Sequence, residues 1–285
     1  VRAKLRRIYA YPTPSEILAF VQESVAALEA SMTPQQLSRL AGIGVATPFE
    51  LWNWADNVGA PQGEMDAWRD FDLRGEIQAL TQYPVYLQND ATSACVAYPD
   101  YVYYFIGTFI GGGVVLNSSV FTGRTGTAGA IGPLPVRDEH GKPRQLIDVA
   151  SIFVLESLLK ERGIDSRALW YSAAGWTDWG EPLERWISMS AEALAQAIIA
   201  AASIIDFPAA IIDGGFPDWV RTRLVAATRT ALNRYDLQGI IVPDIIEGKV
   251  GDQARAIGAA SLPLFARYLT DQTVLFKELS SAEGD

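Results

Sequence analysis

The motif QNDATSA (residues 88–94) places an amide and a carboxylate, Asn89 and Asp90, directly after an apolar, strand-like segment. A carboxylate at the end of a buried strand can act as a general base and accept the proton of a substrate hydroxyl. Asn89 has a second interpretation, because an Asn before a run of small residues is also a typical helix N-cap. Asp90 is therefore the candidate catalytic residue, and Asn89 is either its neighbour in a binding site or a structural cap.

Glycine-rich segments lie at the ends of three predicted strands. They are GIGVATP, which contains Gly42 and Gly44, GTFIGGGVV (107–115) and DGGFP (213–217). Glycine is expected where the chain turns tightly or where its backbone approaches a ligand. Taken singly, each segment is equally well explained as a structural turn. Taken with the Asn-Asp pair, the three segments predict a ligand-binding edge, because α/β folds bind ligands at strand ends.

The elements that must position these residues alternate between strands and helices, which indicates an α/β fold with largely parallel strands. Apolar periodicity predicts helices over 14–30, 73–81, 149–162, 191–205, 218–235 and 251–268, with one more starting at Asn89. Strands are predicted at the first residues and over 41–48, 83–88, 208–215 and 239–243, with several more between 101 and 131. We expect a smaller lobe over 1–98 and a larger one over 99–285, whose last helix packs back on the first lobe.

Composition excludes several classes of function. The 285-residue chain has 23 basic and 33 acidic residues and a net charge of -10, which argues against nucleic-acid binding by this chain itself. Its apolar runs are shorter than the roughly 18 residues of a membrane span. The single Cys95 and the lack of a signal peptide indicate a reducing cytoplasm. These features predict a cytoplasmic protein that binds a neutral ligand.

Four segments, in this order, resemble the ROK family, whose name joins repressors, open reading frames and sugar kinases. They are NDATSA, GTFIGGGVVLN, TGRTGTAGAIG and DGGFP, and the resemblance extends from about residue 41 to residue 260. It implies an actin-like ATPase (ribonuclease H-like) two-lobed fold. The glycine-rich first phosphate loop of that fold is not in this chain, which also starts without Met, so we expect the first lobe to be incomplete at its N-terminus.

The resemblance also implies roles for single residues. Asp90 corresponds to the base that activates a sugar hydroxyl, and Asn89 to a residue that binds the sugar. The implied sugar-binding residues are Asn89, Asp90, Gly44 and Asn57. The implied nucleotide- and phosphate-binding residues are Gly107, Thr108, Gly111, Gly112, Gly113, Gly214 and Gly215. ATP and Mg²⁺ are implied as cofactors if the chain is a kinase.

The chain departs from the family's kinases at positions that contact sugar and zinc. In GTAGAIGP (126–133), Ala130 replaces a sugar-binding Glu and Pro133 replaces a zinc-binding His. The segment that follows has no cysteine, and the lone His140 cannot supply the roughly four ligands of a structural zinc. A further sugar-binding Glu would fall near Ile147, one residue from Asp148. We therefore expect no zinc.

These departures favour a sugar- or sugar-derivative-sensing effector domain of a ROK-type transcriptional regulator. Phosphoryl transfer depends mainly on positioning and charge stabilisation, which the lost side chains would supply. The alternative is an ATP-dependent sugar kinase with Asp90 as its base. A regulator would bind DNA through a helix-turn-helix N-terminal to this chain. We also expect a homodimer, for which a helix near 183–194 offers an apolar face, although the sequence does not specify which face is used.

Overall fold

The chain folds into two compact units. The computed structural model describes residues 3, 5–48, 51–54, 60–61, 63–89, 100–117, 119–171, 175–249, 259–260 and 263, with the backbone alone at 53–54, 88–89 and 171. One unit contains the described residues up to 89 together with 259, 260 and 263, and the other contains residues 100–249. Within this part of the chain, no helix has both the length and the apolar character needed to cross a membrane.

The first unit packs helices against two parallel strands. Its helices are α1 (Pro14–Ala30), α2 (Pro34–Leu37) and α3 (Leu73–Ala79), with 3-10 turns over Leu51–Trp54 and Glu64–Trp68, and its strands are β1 (Ile43–Thr47) and β2 (Val85–Asn89). Helix α1 begins where it was predicted, because Thr13 caps it and Pro14 fits its first position. The core of this unit contains Met65, Trp68, Leu73, Ile77 and Val85.

The strand predicted for the first residues is wrong. Residues 5–9 have no regular secondary structure. Arg7 instead forms an ion pair with Glu23 on α1, and its guanidinium lies 5.1 Å from the centre of the Phe20 ring. Side-chain contacts with α1 therefore hold this segment in place of strand pairing.

The second unit is built on a five-stranded mixed sheet. The strands of this unit are β3 (Tyr101–Ile106), β4 (Ile110–Leu116), β5 (Ser119–Phe121), β6 (Pro135–Arg137), β7 (Pro143–Gln145), β8 (Ala209–Gly214) and β9 (Asp244–Glu247). The sheet has the order β5-β4-β3-β8-β9, and β6 with β7 forms a separate antiparallel hairpin. The pairs β3–β8 and β8–β9 are parallel, whereas β3–β4 and β4–β5 are antiparallel. The predicted parallel order thus holds for three of the five strands.

Helices cover one face of this sheet. They are α4 (Ile147–Ala150), α5 (Ile152–Glu161), α6 (Ala168–Tyr171), α7 (Glu181–Ala202) and α8 (Asp218–Leu232). Alternate residues of β3, namely Val102, Tyr104 and Ile106, join the core that these helices form, and the residues between them are buried on the opposite face. Because both faces are buried, β3 reads as the continuous apolar run YVYYFI.

Two further elements differ from the prediction. GIIVP (239–243) is not a strand, because Gly239 has a φ of 84°, Ile241 is 75% exposed and Pro243 has no N–H to donate. The strand β9 starts at Asp244 instead. Helix α7 begins ten residues before its predicted start, with Pro182 in its first turn, where a missing N–H has no cost. The helix predicted from Asn89 and most of the one predicted over 251–268 lie outside the described residues.

The apolar face of α7 belongs to the unit's own core. Leu183, Trp186 and Leu194 are each 0% exposed. This face is therefore not available to a homodimer, which itself stays a prediction. The periodicity of α7 correctly identified an apolar stripe, but a helix needs such a stripe for packing within its own domain.

Candidate functional site

The carboxyl ends of β3 and β8 bring two of the predicted glycine segments together. We call Gly107, Thr108, Gly214 and Gly215 the glycine corner. Ile106 pairs with Gly214 across the two parallel strands, and the N–H of Gly215 donates to the carbonyl of Ile106 at 3.0 Å. Two segments that are more than 100 residues apart in the sequence therefore meet at one edge of the sheet.

The turn from Gly107 to Phe109 is held by the start of α5. The N–H groups of Ile152 and Phe153 donate to the carbonyls of Gly107 and Thr108 at 3.1 and 3.2 Å. Hydrogen bonds of this kind satisfy two of the N–H groups that a helix leaves unpaired at its start. The position of α5 therefore determines the shape of the turn.

Ser151 is a buried residue of this region that no motif in the sequence singles out. Its hydroxyl accepts from the N–H of Ile110 at 3.0 Å and donates to the carbonyl of Ile147 at 2.6 Å, while its own carbonyl accepts from the indole N–H of Trp186 at 2.9 Å. A Ser before an apolar run is a signal for a helix N-cap. Here the hydroxyl makes no cap bond and instead joins β4 to α4.

Gly111, Gly112 and Gly113 lie inside β4 and not in the turn. A Cβ atom on Gly112 would lie 1.9 Å from the carbonyl oxygen of Tyr103 and 2.8 Å from Cγ1 of Ile131. The segment after β5 crosses the strand at contact distance here, so packing alone requires a glycine at position 112. A role in binding phosphate stays a prediction for these three residues.

That crossing segment, residues 122–134, is anchored through its backbone. The carbonyl of Gly132 accepts from the N–H of Ile147 at 2.9 Å, and Ile131 is 4% exposed. The two positions at which the resemblance implies Glu and His, Ala130 and Pro133, are both exposed. The segment is therefore firmly placed, but it presents neither a carboxylate nor an imidazole at these positions.

Below the glycine corner, Asp213 is a buried carboxylate with 0% exposure. Its Oδ2 accepts from the hydroxyl of Tyr103 at 2.9 Å, and its Oδ1 accepts from the N–H of Gly214 at 2.8 Å. Nε of Arg221 lies 3.2 Å from Oδ1. This contact is an ion pair, but its geometry is not that of a hydrogen bond. Nη1 of Arg221 lies 2.7 Å from Oδ1 of the exposed Asp218. The motif DGGFP stands out in the sequence for its glycines, but its Asp, in an apolar strand, also needs a buried partner.

The hairpin formed by β6 and β7 does not fit a zinc site. Oδ1 of Asp138 accepts from the N–H groups of His140 and Lys142, both at 2.9 Å, and Oδ2 accepts from Nε of Arg144 at 3.3 Å. These hydrogen bonds, led by that from Lys142, lower the pKa of Asp138. Among the described residues, no cluster of His, Cys, Asp and Glu could hold a metal ion. The absence of zinc from the protein nevertheless stays a prediction.

The candidates of the first unit are only partly described. Gly44 lies in β1, where a Cβ atom would be 1.7 Å from the carbonyl oxygen of Ala259, so packing explains this glycine. The backbone of Asn89 ends β2 opposite Thr47. The side chain of Asn89, and Asp90 and Asn57 altogether, lie outside the described residues, and their roles stay predictions.

Comparison with known proteins identifies the family to which these segments belong. The model of the ROK family matches residues 3–145. The glucokinase of Halalkalibacterium halodurans is 34% identical over 121 residues, which are 37% of this chain and 34% of that protein. The xylose repressor of Bacillus subtilis is 30% identical over 112 residues, which are 36% of this chain and 28% of the repressor. The chain spans about a third of the length of these relatives.

Solved structures agree on the fold. A ROK family protein from Streptococcus pneumoniae in complex with sucrose aligns with a TM-score of 0.61 and 18% identity, covering 91% of this chain and 89% of that one. At this identity the likeness concerns the fold alone. The fold is the α/β actin-like ATPase fold, as the sequence predicted.

Proposed function

The chain belongs to the ROK family, and from this membership we propose that it is the effector domain of a ROK-type transcriptional regulator. In this proposal the domain senses a sugar or a sugar derivative and does not transfer phosphate. The relatives include a repressor and a glucokinase, so the family leaves both functions open. Of these two functions, we propose the regulator for this chain.

The observation that supports the regulator over the kinase is the set of side chains that residues 122–134 present. The backbone of this segment is anchored to β4 and α4, yet its exposed positions 130 and 133 hold Ala and Pro. A hydrogen bond from a sugar hydroxyl to a carboxylate is worth about 1.5–3 kcal/mol, and complete positioning in an enzyme is worth roughly 7–11 kcal/mol. A binding domain that lacks one such bond still binds its ligand, only more weakly. An enzyme that lacks it also loses part of the substrate positioning on which its rate depends.

The motif NDATSA supports the alternative function. It retains Asp90, the residue that would act as the general base of a sugar kinase. ATP and Mg²⁺ would then be required, and the phosphate groups would be expected near the glycine corner. This alternative makes a different prediction for one substitution, Asp90→Asn, which keeps the shape of the side chain and removes the base.

Enzyme assays and calorimetry on the same protein separate the two functions. We expect no sugar phosphate when the protein is incubated with Mg²⁺, ATP and a panel of hexoses. We expect calorimetry to detect a sugar that binds more weakly to Asp90→Ala than to the wild type or to the control Asp206→Ala. Sugar phosphorylation that disappears in Asp90→Asn would establish the kinase and refute the regulator.

The regulator also requires a DNA-binding part. We propose a helix-turn-helix N-terminal to this chain, since the acidic balance of the chain disfavours DNA binding by the chain itself. The coding sequence upstream tests this directly. A helical, basic segment there supports the regulator, and a short glycine-rich strand pair there supports the kinase.

A further inference from the structure

Three partners of Asp213 are the kinds of groups that bind oxyanions. They are the hydroxyl of Tyr103, the N–H of Gly214 and the guanidinium of Arg221, at 2.9, 2.8 and 3.2 Å from the carboxylate. Backbone N–H groups in glycine turns and arginine side chains recognise phosphate and carboxylate groups throughout proteins. The two carboxylate oxygens of Asp213 thus occupy a position that a free oxyanion could fill.

The surroundings leave no room for a second anion beside Asp213. The carboxylate is 0% exposed and the side chain of Arg221 is 7% exposed. A Cβ atom on Gly248 would lie 2.3 Å from Cβ of Asp213, so bare backbone closes this side of the cluster. An external anion can reach these donors only if the carboxylate is removed.

The N–H groups of the three glycines in the glycine corner are also engaged within the chain. Gly107 donates to the carbonyl of Phe109 at 3.3 Å, and Gly215 donates to the carbonyl of Ile106 at 3.0 Å. Gly214 donates to Asp213. A phosphate group approaching the three glycines of this corner would meet N–H donors that are already used and a carboxylate directly below them.

We propose that Asp213 is a built-in anion that fills an oxyanion site and closes the glycine corner to phosphate-bearing ligands. It thereby restricts the unit to neutral ligands such as sugars. The ligand class rests on the proposed function, whereas the oxyanion site rests on the geometry of the cluster. Stability alone does not account for the cluster, because a buried ion pair is often no more stabilising than apolar residues of the same volume.

Anion rescue of Asp213→Ala tests the proposal. Thermal unfolding is followed at constant ionic strength while sodium chloride is replaced by sodium formate or by sodium phosphate. In Asp213→Ala, formate or phosphate occupies the vacated site and raises the unfolding midpoint. For an anion at roughly ten times its dissociation constant, the rise is about 3–5 °C more than in the wild type.

Two controls separate site binding from general salt effects, because phosphate stabilises most folded proteins. Asp244→Ala removes an exposed carboxylate from the neighbouring strand β9 and is expected to respond like the wild type. Arg221→Gln, added to Asp213→Ala, removes the cation of the site and is expected to abolish the additional rise. Equal responses of Asp213→Ala and the wild type would overturn the proposal.

If Asp213→Ala does not fold in chloride, the same anions are compared during refolding from urea. Recovery of the native circular dichroism in formate or phosphate supports the proposal, and failure to recover in both anions overturns it. The closure of the corner is tested on the wild type, whose unfolding midpoint is expected not to change with Mg²⁺ and ATP. A nucleotide-dependent rise in the wild type would contradict that closure.

The outcomes distinguish this proposal from the proposed function. Hexose phosphorylation by the wild type would refute the regulator and would also contradict the closure of the corner, whereas the anion rescue of Asp213→Ala would still test the oxyanion site independently. Conversely, if formate raised the unfolding midpoints of Asp213→Ala and the wild type equally, the built-in anion would be refuted, and the sugar-binding result would be unaffected.

Discussion

The side-chain amide of Gln196 on α7 binds both polar backbone groups of Arg137 on β6. Its Oε1 accepts from the N–H of Arg137 at 2.8 Å, and its Nε2 donates to the carbonyl at 3.0 Å. A side chain thus takes the role that a neighbouring strand would have in a sheet. Through this contact the hairpin formed by β6 and β7 is fastened to α7, the longest described helix.

Substitution of Gln196 by Ala is expected to destabilise the second unit. It removes two hydrogen bonds, each worth about 0.5–1.5 kcal/mol, so the free energy of unfolding should fall by about 1–3 kcal/mol. Urea unfolding measures this change. The control Gln238→Ala removes an exposed glutamine side chain from a loop and should change the free energy by less than about 0.5 kcal/mol. Equal effects of the two substitutions would show that the amide of Gln196 does not hold the hairpin.

The Asp138 carboxylate is expected to make the hairpin sensitive to acid. Hydrogen bonds from the backbone of the turn lower its pKa below the ordinary value of 3.8. Its contribution to stability is therefore complete above about pH 3.8 and is lost as the pH falls through the lower, folded-state pKa. Asp138→Asn should lower the unfolding midpoint at pH 7, and its difference from the wild type should shrink below pH 3.8. A difference that is independent of pH would contradict this.

Local signals in the sequence predicted much of the fold. Thr13 and Pro14 define the start of α1, and helix α8 begins at Asp218 as predicted, because capping and periodicity act within a few residues. Pairing is different, since it depends on partners far away in the chain. GIIVP has the composition of a strand, but the ladder with β8 starts after it, at Asp244.

The candidate site shows the same limit. The glycine segments were found because glycine is informative by itself. That Gly107 and Gly214 share one edge follows from the pairing of β3 with β8, which no short motif specifies. Asp213 and Arg221 were missed because the meaning of a charged residue in an apolar strand depends on a partner eight residues later.

Ser151→Ala is expected to loosen the turn of the glycine corner. It leaves the buried N–H of Ile110 without its acceptor, which costs about 1–3 kcal/mol. The control Ser157→Ala removes a hydroxyl that bonds within helix α5 to the carbonyl of Phe153 and should cost about 0.5 kcal/mol or less. Hydrogen exchange of the Ile110 amide gives the local readout. Unchanged protection of this amide in Ser151→Ala would exclude the role assigned to the hydroxyl.

Ala130→Glu is expected to strengthen sugar binding if residues 122–134 face the ligand. Position 130 is exposed, so the longer side chain requires no repacking. A carboxylate that accepts from a ring hydroxyl adds about 1.5–3 kcal/mol, which corresponds to roughly a tenfold or greater increase in affinity. Calorimetry with the hexose bound by the wild type measures it, with Ala128→Glu as the control. The same affinity in both variants would place the sugar elsewhere.

Gly214→Ala and Gly215→Ala separate the structural role of the glycine corner from a binding role. A Cβ atom on Gly214 would lie 2.5 Å from the carbonyl oxygen of Ile106 and 2.3 Å from the Phe216 ring, so this substitution is expected to destabilise the protein by more than about 1 kcal/mol. On Gly215 the Cβ atom would lie 3.9 Å from Cδ1 of Ile152, an ordinary contact. Gly215→Ala should therefore fold with nearly wild-type stability in urea unfolding and should leave sugar affinity unchanged in calorimetry. A folded Gly215→Ala protein that loses an ATP-dependent signal present in the wild type would show instead that phosphate approaches this backbone and would favour the kinase.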